Sequence, residues 1–361
     1  ANPSKYEVQA SRDLVYVQFK EEASLEDEQQ IQNDLTALIA DKVEFNEAAK
    51  ANETVVGFQN TKNVEAFVNA NSTVKYNDAY VFASSFPTAV ADQLTNLESN
   101  AVFGPYKDGT TYKLSKKVAR KMIADSAKVR HILIPFVGAV RADATVTKTD
   151  EQAKTTADSI YKVIRSKRSK FKSLLSLSSD KVSNEKEGVI EFAYSDGFAE
   201  EFKAYSFENS EGSLGVVKTN FGYHIIEILD QGKKQEAFKI ATIVQDIEPS
   251  VKTIDAVFTD KSKFEIAVAN ADFKEVAKEN NYSTYPVSSI KELDETIPGI
   301  GVQRAIVRWS FEEGVEVGDF KSFNISGGGF VVAKITAVNE AGLMSVDKAS
   351  ITALPEKIKP S

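Results

Sequence analysis

Three passages of this chain repeat one order of elements, and this repeat limits the possible folds more than any other feature. In each passage an apolar helical stretch precedes a turn, a short strand, a hairpin turn and a second strand. The passages span residues 86–118, 198–229 and 302–338. Their hairpin turns, "KDGTT", "KTNFG" and "ISGGG", contain Gly or Asn, which tolerate the positive φ of tight turns. The repeat therefore predicts three modules of one kind.

Each passage also follows a strand whose apolar residues alternate with period two. These strands lie at residues 12–19, 128–134 and 238–247. Helices are predicted between each strand and its passage; Thr149 with Gln152 forms a capping box ahead of one of them. The expected fold class is α+β: three tandem modules, each a small, mostly antiparallel sheet flanked by helices. The predicted domains are residues 1–126, 127–234 and 235–361.

Charge and composition exclude several classes of function. The net charge of −8 and pI of about 5.2 argue against nucleic-acid binding, which requires a basic surface. The absence of cysteine excludes disulfides, thiolate catalysis and zinc–thiolate sites. No apolar run approaches the roughly 18–20 residues of a membrane helix, so this fragment is expected to make no membrane contact. We predict no metal site and no cofactor.

The chain has only two histidines, and both lie in apolar strands of the middle module. Because strand side chains alternate, His131 shares a face with Val129 and Leu133, and His224 lies on the face of Ile226 and Ile228. If the two strands are neighbours, the rings face each other. Two hydrogen-bonded core histidines without a chemical role would fit the same pattern. In the outer modules, however, Lys113 and Val331 take the place of His224, so the scaffold itself does not require the pair.

Three stretches of the middle module then carry a resemblance: "VRHILI" (129–134), "FAEEFKAYSFE" (198–208) and "GSLGVVKTNFGYHIIEILDQ" (212–231). This module resembles the parvulin-type peptidyl-prolyl cis-trans isomerases. The whole chain is similar to PpiD-like, SurA-related periplasmic folding factors. The outer modules resemble degenerate parvulin-like regions of such chains.

The resemblance implies a role for seven side chains. The implied catalytic residues are His131, Asp180, Thr219 and His224. Asp180 would face the imide, and Thr219 would bond the histidine network. The implied substrate-binding residues are Val189, Phe198 and Phe202. Phe202 would form the floor of the proline pocket. Phe198 replaces the usual Met and Val189 the usual Leu.

Two functions follow from the resemblance. The first is prolyl isomerisation of Xaa-Pro bonds in unfolded or nascent polypeptides, with outer-membrane proteins as expected clients. The second is an inactive holdase chaperone that binds extended apolar segments. The loop "KEGVI" (186–190) lacks most glycines of the family's Gly-Gly-Asp-Leu-Gly run, which favours the second. The presence together of His131, Asp180, Phe202, Thr219 and His224 favours the first. The implied location is the periplasm, with an inner-membrane anchor in the full-length protein outside this fragment.

Overall fold

The computed structural model describes residues 7–343. Its helices are α1 Leu25–Ala37, α2 Val64–Asn71, α3 Ala91–Asn96, α4 Asp150–Ser166, α5 Phe171–Leu174, α6 Lys181–Asn184, α7 Glu200–Glu208, α8 Val251–Val268, α9 Phe273–Glu279 and α10 Arg304–Ser310. Its first nine strands are β1 Glu7–Val8, β2 Ser11–Phe19, β3 Lys42–Asn46, β4 Ala51–Val55, β5 Val81–Phe82, β6 Val102–Asp108, β7 Thr111–Ala124, β8 Ser126–Ile134 and β9 Val189–Ala193. The others are β10 Leu214–Thr219, β11 Gly222–Gln231, β12 Lys234–Asp246, β13 Tyr285–Ile290, β14 Thr296–Ile297, β15 Gly301–Val302, β16 Phe320–Asn324, β17 Phe330–Asn339 and β18 Gly342–Leu343.

Three four-stranded sheets have the same arrangement: the two strands of a hairpin, then a third strand and a fourth strand at the edge. The strand pairs whose registers are given below are antiparallel. The middle sheet has the order β10-β11-β8-β9, the second β6-β7-β12-β5 and the third β16-β17-β2-β13. In each, one of the predicted hairpins supplies two adjacent strands, because its turn contains the expected Gly or Asn. The α+β class with mostly antiparallel sheets is therefore confirmed.

The expectation of three tandem modules built from consecutive residues is not confirmed. Strand β2, predicted to begin the first module, pairs with β17, with Tyr16 opposite Ala333. Strand β12, predicted to begin the third module, lies beside β7. All three candidate strands carry the same alternating pattern, and the hairpins they pair with are alike. Local sequence therefore cannot choose between partners, and sequential neighbours are only the more common choice.

Two compact units result from this pairing. Within the described residues, one unit comprises 7–33 with 246–343, and the other comprises 34–245. The middle sheet lies in the second unit and uses residues 126–231, close to the predicted module 127–234. The domain limits 1–126, 127–234 and 235–361 remain a prediction. In the second unit β7 leads into β8 and β11 into β12, and Gly232 N–H donates to Ser126 O across this junction at 2.9 Å.

The middle sheet buries a different core on each face. Helix α4 covers one face: Ala153, Ala157, Ile160 and Ile164 are buried against Ile132, Ile134 and Ile225. The predicted capping box of Thr149 and Gln152 starts this helix. Helix α7 covers the other face, where Phe202 and Phe207 pack with Val129, Ile226 and Ile228. The two histidines lie on the α7 face, so α7 and the loops around it form the walls of the site.

Candidate active site

The two histidines meet on neighbouring central strands, as the alternation predicted. In the β8–β11 register His131 is opposite Ile226 and His224 is opposite Leu133. The two rings thus point to one face, and their Nδ1 atoms lie 3.1 Å apart. The ring planes are nearly parallel, at 14°. Both side chains are buried, with 3% and 6% of their surface exposed, so the contact is shielded from water.

A hydrogen-bonded chain of four side chains runs through this pair. At one end Thr219 Oγ1 lies 2.9 Å from His224 Nε2. At the other end His131 Nε2 lies 2.8 Å from Asp180 Oδ2. The four residues predicted as catalytic are therefore brought together. Ser183, which sequence reasoning missed, also reaches His131 Nε2, at 3.1 Å. Its position three residues after Asp180, as in a helix cap, was the available signal.

The pKa values of two members of this hydrogen-bonded chain, Asp180 and His224, are lowered. The hydrogen bond from His131 holds the pKa of the Asp180 carboxyl well below its usual range, against the effect of burial. The pKa of His224 is lowered to about 3, mainly by burial and also by the neighbouring His131, against the opposing effect of Asp180. Ionised Asp180 accepts from His131 Nε2–H. In the tautomer that carries the His131 proton on Nε2 alone, His131 Nδ1 accepts from His224 Nδ1–H, and His224 Nε2 accepts from Thr219 O–H.

Backbone hydrogen bonds tie Asp180 to the strand that carries His131. Asp180 caps the short helix α6, where its Oδ1 accepts from Ser183 N–H at 3.2 Å. Ser178 Oγ accepts from Leu133 N–H at 3.1 Å and from Asp180 N–H at 3.3 Å. Ser178 is 1% exposed. Ser178 therefore links the backbone of Asp180 to that of Leu133 in β8, while a quarter of the Asp180 side chain remains exposed.

An aromatic wall stands against the histidine pair. Phe202 on α7 meets both rings edge-on, with centroids 5.5 Å from His131 and 5.2 Å from His224. Phe198 stacks on Phe202 at 5.6 Å, and Phe192 lies 4.3 Å from Phe198. Phe202 is 2% exposed. These rings provide a rigid apolar surface beside the polar chain.

A cavity of about 620 Å³ opens at this junction. Its walls are His131, Leu133, Pro135, Val140, Arg141, Ala142, Asp143, Ser179, Asp180, Lys181, Val182, Ile190, Gly197, Phe198, Ala199, Phe202, Phe221 and His224. Leu133, Ile190, Phe198 and Phe202 give an apolar floor, and Arg141 and Lys181 belong to its polar rim. A volume in this range accommodates a group the size of a small molecule.

Part of the chain matches a known protein family. Residues 112–232 match the family model described as the PPIC-type PPIase domain. The chain contains a parvulin-type PPIase domain. The match covers the middle sheet together with β7 and ends just after β11.

Curated proteins similar to this chain include a chaperone and a foldase. Chaperone SurA of Vibrio parahaemolyticus is 28% identical over 151 residues, which cover 40% of this chain and 34% of that protein. Foldase protein PrsA of Staphylococcus aureus is 27% identical over 161 residues, covering 43% of this chain and 50% of that protein. The match therefore spans between a third and a half of these relatives' length.

Among solved structures, peptidyl-prolyl isomerase ESS1 from Candida albicans is 19% identical, with a TM-score of 0.27. The similarity covers 29% of this chain and 63% of that one.

One predicted substrate residue of the parvulin domain lies outside the cavity. Val189 pairs with Arg130, whereas Ile190 pairs with Val129 and lines the cavity. Residues opposite each other in an antiparallel pair point to one face, so Ile190 lies on the histidine face and Val189 on the other. A shift of one residue reverses the face of a strand residue. The degenerate loop obscured this register in the sequence.

That loop keeps the backbone shape for which a glycine-rich loop is suited. Glu187 adopts φ +58° and Gly188 φ +77°, both in the left-handed region. Gly188 O accepts from His131 N–H at 2.9 Å. A Cβ at Gly188 would lie 2.9 Å from His131 O and 2.7 Å from Leu175 Cδ2. One glycine therefore remains where side-chain space is lacking, and Glu187 takes the strained position beside it.

Two kinds of feature are absent from residues 7–343. None of the helices there combines the length and apolar character needed to cross a bilayer. Over the same range no cluster of three or more His, Cys, Asp or Glu side chains could hold a metal ion.

Proposed function

We propose that this protein is a folding factor whose parvulin domain catalyses cis-trans isomerisation of Xaa-Pro bonds in unfolded polypeptides. The observation that carries the proposal is the position of the His131–His224 pair, hydrogen-bonded at 3.1 Å, beside an apolar cavity of about 620 Å³. The match of residues 112–232 to the PPIC-type family supports it.

The reaction needs differential binding rather than a nucleophile. Rotation about an Xaa-Pro bond faces a barrier of about 18–20 kcal/mol and takes tens of seconds or more unaided. Millisecond turnover requires roughly four decades of acceleration, or about 5.5 kcal/mol. No covalent bond breaks, so the site must bind the twisted imide more tightly than either planar form.

The apolar floor provides part of this stabilisation. Phe198, Phe202 and Ile190 line the cavity and would hold the proline ring while excluding water from the amide. Water hydrogen-bonded to the carbonyl favours the planar resonance form, which places negative charge on that oxygen. Removing this water therefore lowers the energy of the twisted form relative to the planar one.

Asp180 would act on the negative charge of the imide carbonyl oxygen. Its carboxylate is ionised and partly exposed in the cavity wall. A negative group beside the imide carbonyl destabilises the planar form, whose oxygen is more negative, and less so the twisted one. The histidines and Thr219 would hold this carboxylate in place through the hydrogen-bonded chain, without transferring a proton.

Catalysis would take place in the parvulin domain alone. At the position of His131, the third sheet carries Tyr16, which is opposite Ala333, as His131 is opposite Ile226. His224 lies two residues before Ile226 in β11. Val331 lies two residues before Ala333 in β17 and so corresponds to His224. Tyr16 is buried and its hydroxyl donates to Pro298 O at 2.9 Å, so the side chain is engaged in structure.

The second candidate is an inactive holdase that binds extended apolar segments. The loop favours it, because Glu187 stands at positive φ where glycine is strongly preferred. Phe198 stands where the family usually has the unbranched Met, and its ring would make the cavity smaller or change its shape.

The proposed clients are unfolded or nascent envelope polypeptides, including outer-membrane proteins, and the proposed location is the periplasm with an inner-membrane anchor in the full-length protein. The names of the relatives, a chaperone and a foldase, support the client class. Fractionation of cells that express the native gene, with and without carbonate extraction, tests location and anchoring separately.

Exchange NMR on a short Xaa-Pro peptide tests catalysis. Wild type should accelerate cis-trans exchange, and His224→Ala and Phe202→Ala should each abolish most of the acceleration. Val189→Ala is the matched control, because it removes a nearby apolar side chain outside the cavity and should leave the rate unchanged. An uncatalysed rate with wild type, together with broadened peptide signals, would instead establish the holdase.

A further inference from the structure

A second cavity, of about 510 Å³, lies between helix α7 and the second sheet, within the unit 34–245. Residues of α7 form one side of it, and residues of β7, β12 and the segment before β5 form the other. It shares no wall residue with the cavity beside the histidines. The two cavities use different faces of α7, since Phe202 lines the first and Lys203 the second.

Lysines outnumber carboxylates in the walls of this second cavity, although the whole chain has a net charge of −8. Four lysines and three carboxylates line it. Two of the lysines are paired: Lys121 Nζ lies 2.8 Å from Glu208 Oε1, and Lys239 Nζ lies 2.8 Å from Asp78 Oδ1. The other two lysines are left with a single carboxylate.

One of these two, Lys203, is buried without a hydrogen-bond acceptor. The residue is 8% exposed, and its Nζ lies 3.7 Å from Glu200 Oε1, beyond hydrogen-bond distance. The ammonium also lies over the Tyr194 ring, 4.8 Å from its centroid. It makes no hydrogen bond to any residue in the range 7–343. Because burial of an ammonium is costly unless oxygens accept from its three N–H groups, a ligand oxygen in the cavity would be bound there.

Two further donors border the same space. Lys234 is exposed and has no ion pair within the described part of the chain. Burial, with a smaller effect of nearby carboxylates, raises the pKa of Tyr194, so its hydroxyl keeps the proton that it can donate. Glu200 competes weakly for these groups, because its side chain is 79% exposed and an exposed partner contributes little. The unsatisfied groups are donors, and their complement is an anion with oxygen acceptors.

The cavity also has an apolar part, which favours a carboxylate carried by a larger body over a free anion. Phe207, Ile123 and Met122 are among its walls, and Met122 is 58% exposed. Its volume exceeds that of a carboxylate group and lies in the range that holds a small molecule. An acidic residue of a polypeptide fits both parts, since its carboxylate reaches the lysines while its neighbour packs on Met122.

We propose that this cavity binds a carboxylate group of an unfolded polypeptide, with Lys203, Lys234 and the Tyr194 hydroxyl as the donors. The carboxylate belongs to an acidic side chain or to a chain terminus, which present the same two oxygens. The polypeptide class rests on the proposed function, but the site involves neither proline nor the histidine pair.

Methyl NMR of Met122 tests the proposal, because the chain has two methionines and Met122→Leu identifies the signal. The probes are three proline-free alanine peptides with acetylated N-termini. One is amidated with a central Glu, one is amidated with a central Gln, and one has the Gln and a free C-terminal carboxylate. At least one carboxylate peptide should shift the Met122 signal saturably, which identifies the source of the group, and the amidated Gln peptide should not.

Lys203→Gln should weaken binding of the carboxylate peptide at least about five-fold. Lys234→Gln, at an exposed position, should weaken it about two-fold. Lys162→Gln is the matched control, because it removes an exposed lysine of α4 outside the cavity and should bind like wild type. His224→Ala should also bind like wild type, so failure of catalysis and failure of this site are told apart.

Three results would overturn the proposal. The first is an equal shift with the carboxylate peptides and the amidated Gln peptide. The second is wild-type affinity in Lys203→Gln, or in Lys234→Gln where Lys203→Gln fails to fold. The third is acetate that binds as tightly as the peptides, since the cavity would then take a free anion.

Discussion

Tyr16 and His131 occupy the same position in two sheets of one chain. Each lies on the strand that pairs with the second strand of a hairpin, and in both pairs the register shifts at the same place, between Ile228 and Asp230 in one and between Ile335 and Ala337 in the other. The scaffold thus accepts a tyrosine bonded to a loop carbonyl or a histidine bonded to a second histidine. The difference separates a structural position from a candidate catalytic one.

Replacing Tyr16 by Phe should therefore affect stability alone. Tyr16 is 1% exposed and its hydroxyl donates to Pro298 O at 2.9 Å. Losing this bond leaves a carbonyl without its partner and should cost about 1 kcal/mol. Chemical denaturation followed by Trp309 fluorescence measures the change, since Trp309 packs in the same core as Tyr16. Prolyl isomerase activity should equal that of wild type; a lost activity would place part of the site in this unit.

The stability of the parvulin domain should fall as the pH drops below about 6.5. His224 has a folded-state pKa of about 3, so between pH 6.5 and 3 the unfolded chain binds a proton that the folded one does not. Stabilisation is complete above the unfolded pKa and is lost through this range. From pH 7 to pH 5 the loss should approach about 2 kcal/mol.

Asp180, whose pKa is also lowered, adds a loss in the same direction below about pH 4. Hydrogen exchange of the β8 and β11 amides at both pH values measures the effect. His224→Gln should remove most of the difference between pH 7 and pH 5. An unchanged difference in that variant would assign the pH dependence to other groups.

The hydroxyl of Thr219 should be needed for catalysis. It lies 2.9 Å from His224 Nε2 and also accepts from Phe221 N–H at 3.1 Å. Thr219→Val keeps the shape but leaves the ring nitrogen without its donor, and activity should fall about ten-fold, the cost of roughly 1.4 kcal/mol. Thr219→Ser keeps the hydroxyl and should retain most activity in the exchange NMR assay. Equal rates for Val and Ser would exclude a role for the hydrogen bond.

Gly188→Ala should disturb the site through the backbone. The φ of +77° disfavours any side chain, and the added Cβ would lie 2.9 Å from His131 O. Gly212→Ala measures the cost of the positive φ alone, because Gly212 has φ +78° and nothing within 4 Å of its Cβ position. Both variants should lose about 1–2 kcal/mol of stability from φ alone. Gly188→Ala should lose more stability than Gly212→Ala and should also lose isomerase activity. Equal melting temperatures for the two variants would mean that the contact between the added Cβ and His131 O relaxes without cost.

Sequence patterns determined the local elements and the shared face of the histidines. Alternation predicted that His131 and His224 point to one side of their strands, and the Nδ1 atoms meet at 3.1 Å. The Thr149 capping box and the three hairpin turns were readable because each depends on neighbouring residues. These features arise within a few residues, where backbone preference and short hydrogen bonds decide the conformation.

Tertiary structure decided which strands pair and which side chains complete the site. Strands β2 and β12 carry equivalent patterns, and only packing in the whole chain places β2 beside β17 and β12 beside β7. Ile190, rather than Val189, lines the cavity because its register against Val129 sets its face. Ser183 joins the hydrogen-bonded side chains through its contact with His131, 52 positions away in the sequence. Such contacts depend on the position of distant segments, and local sequence does not encode that position.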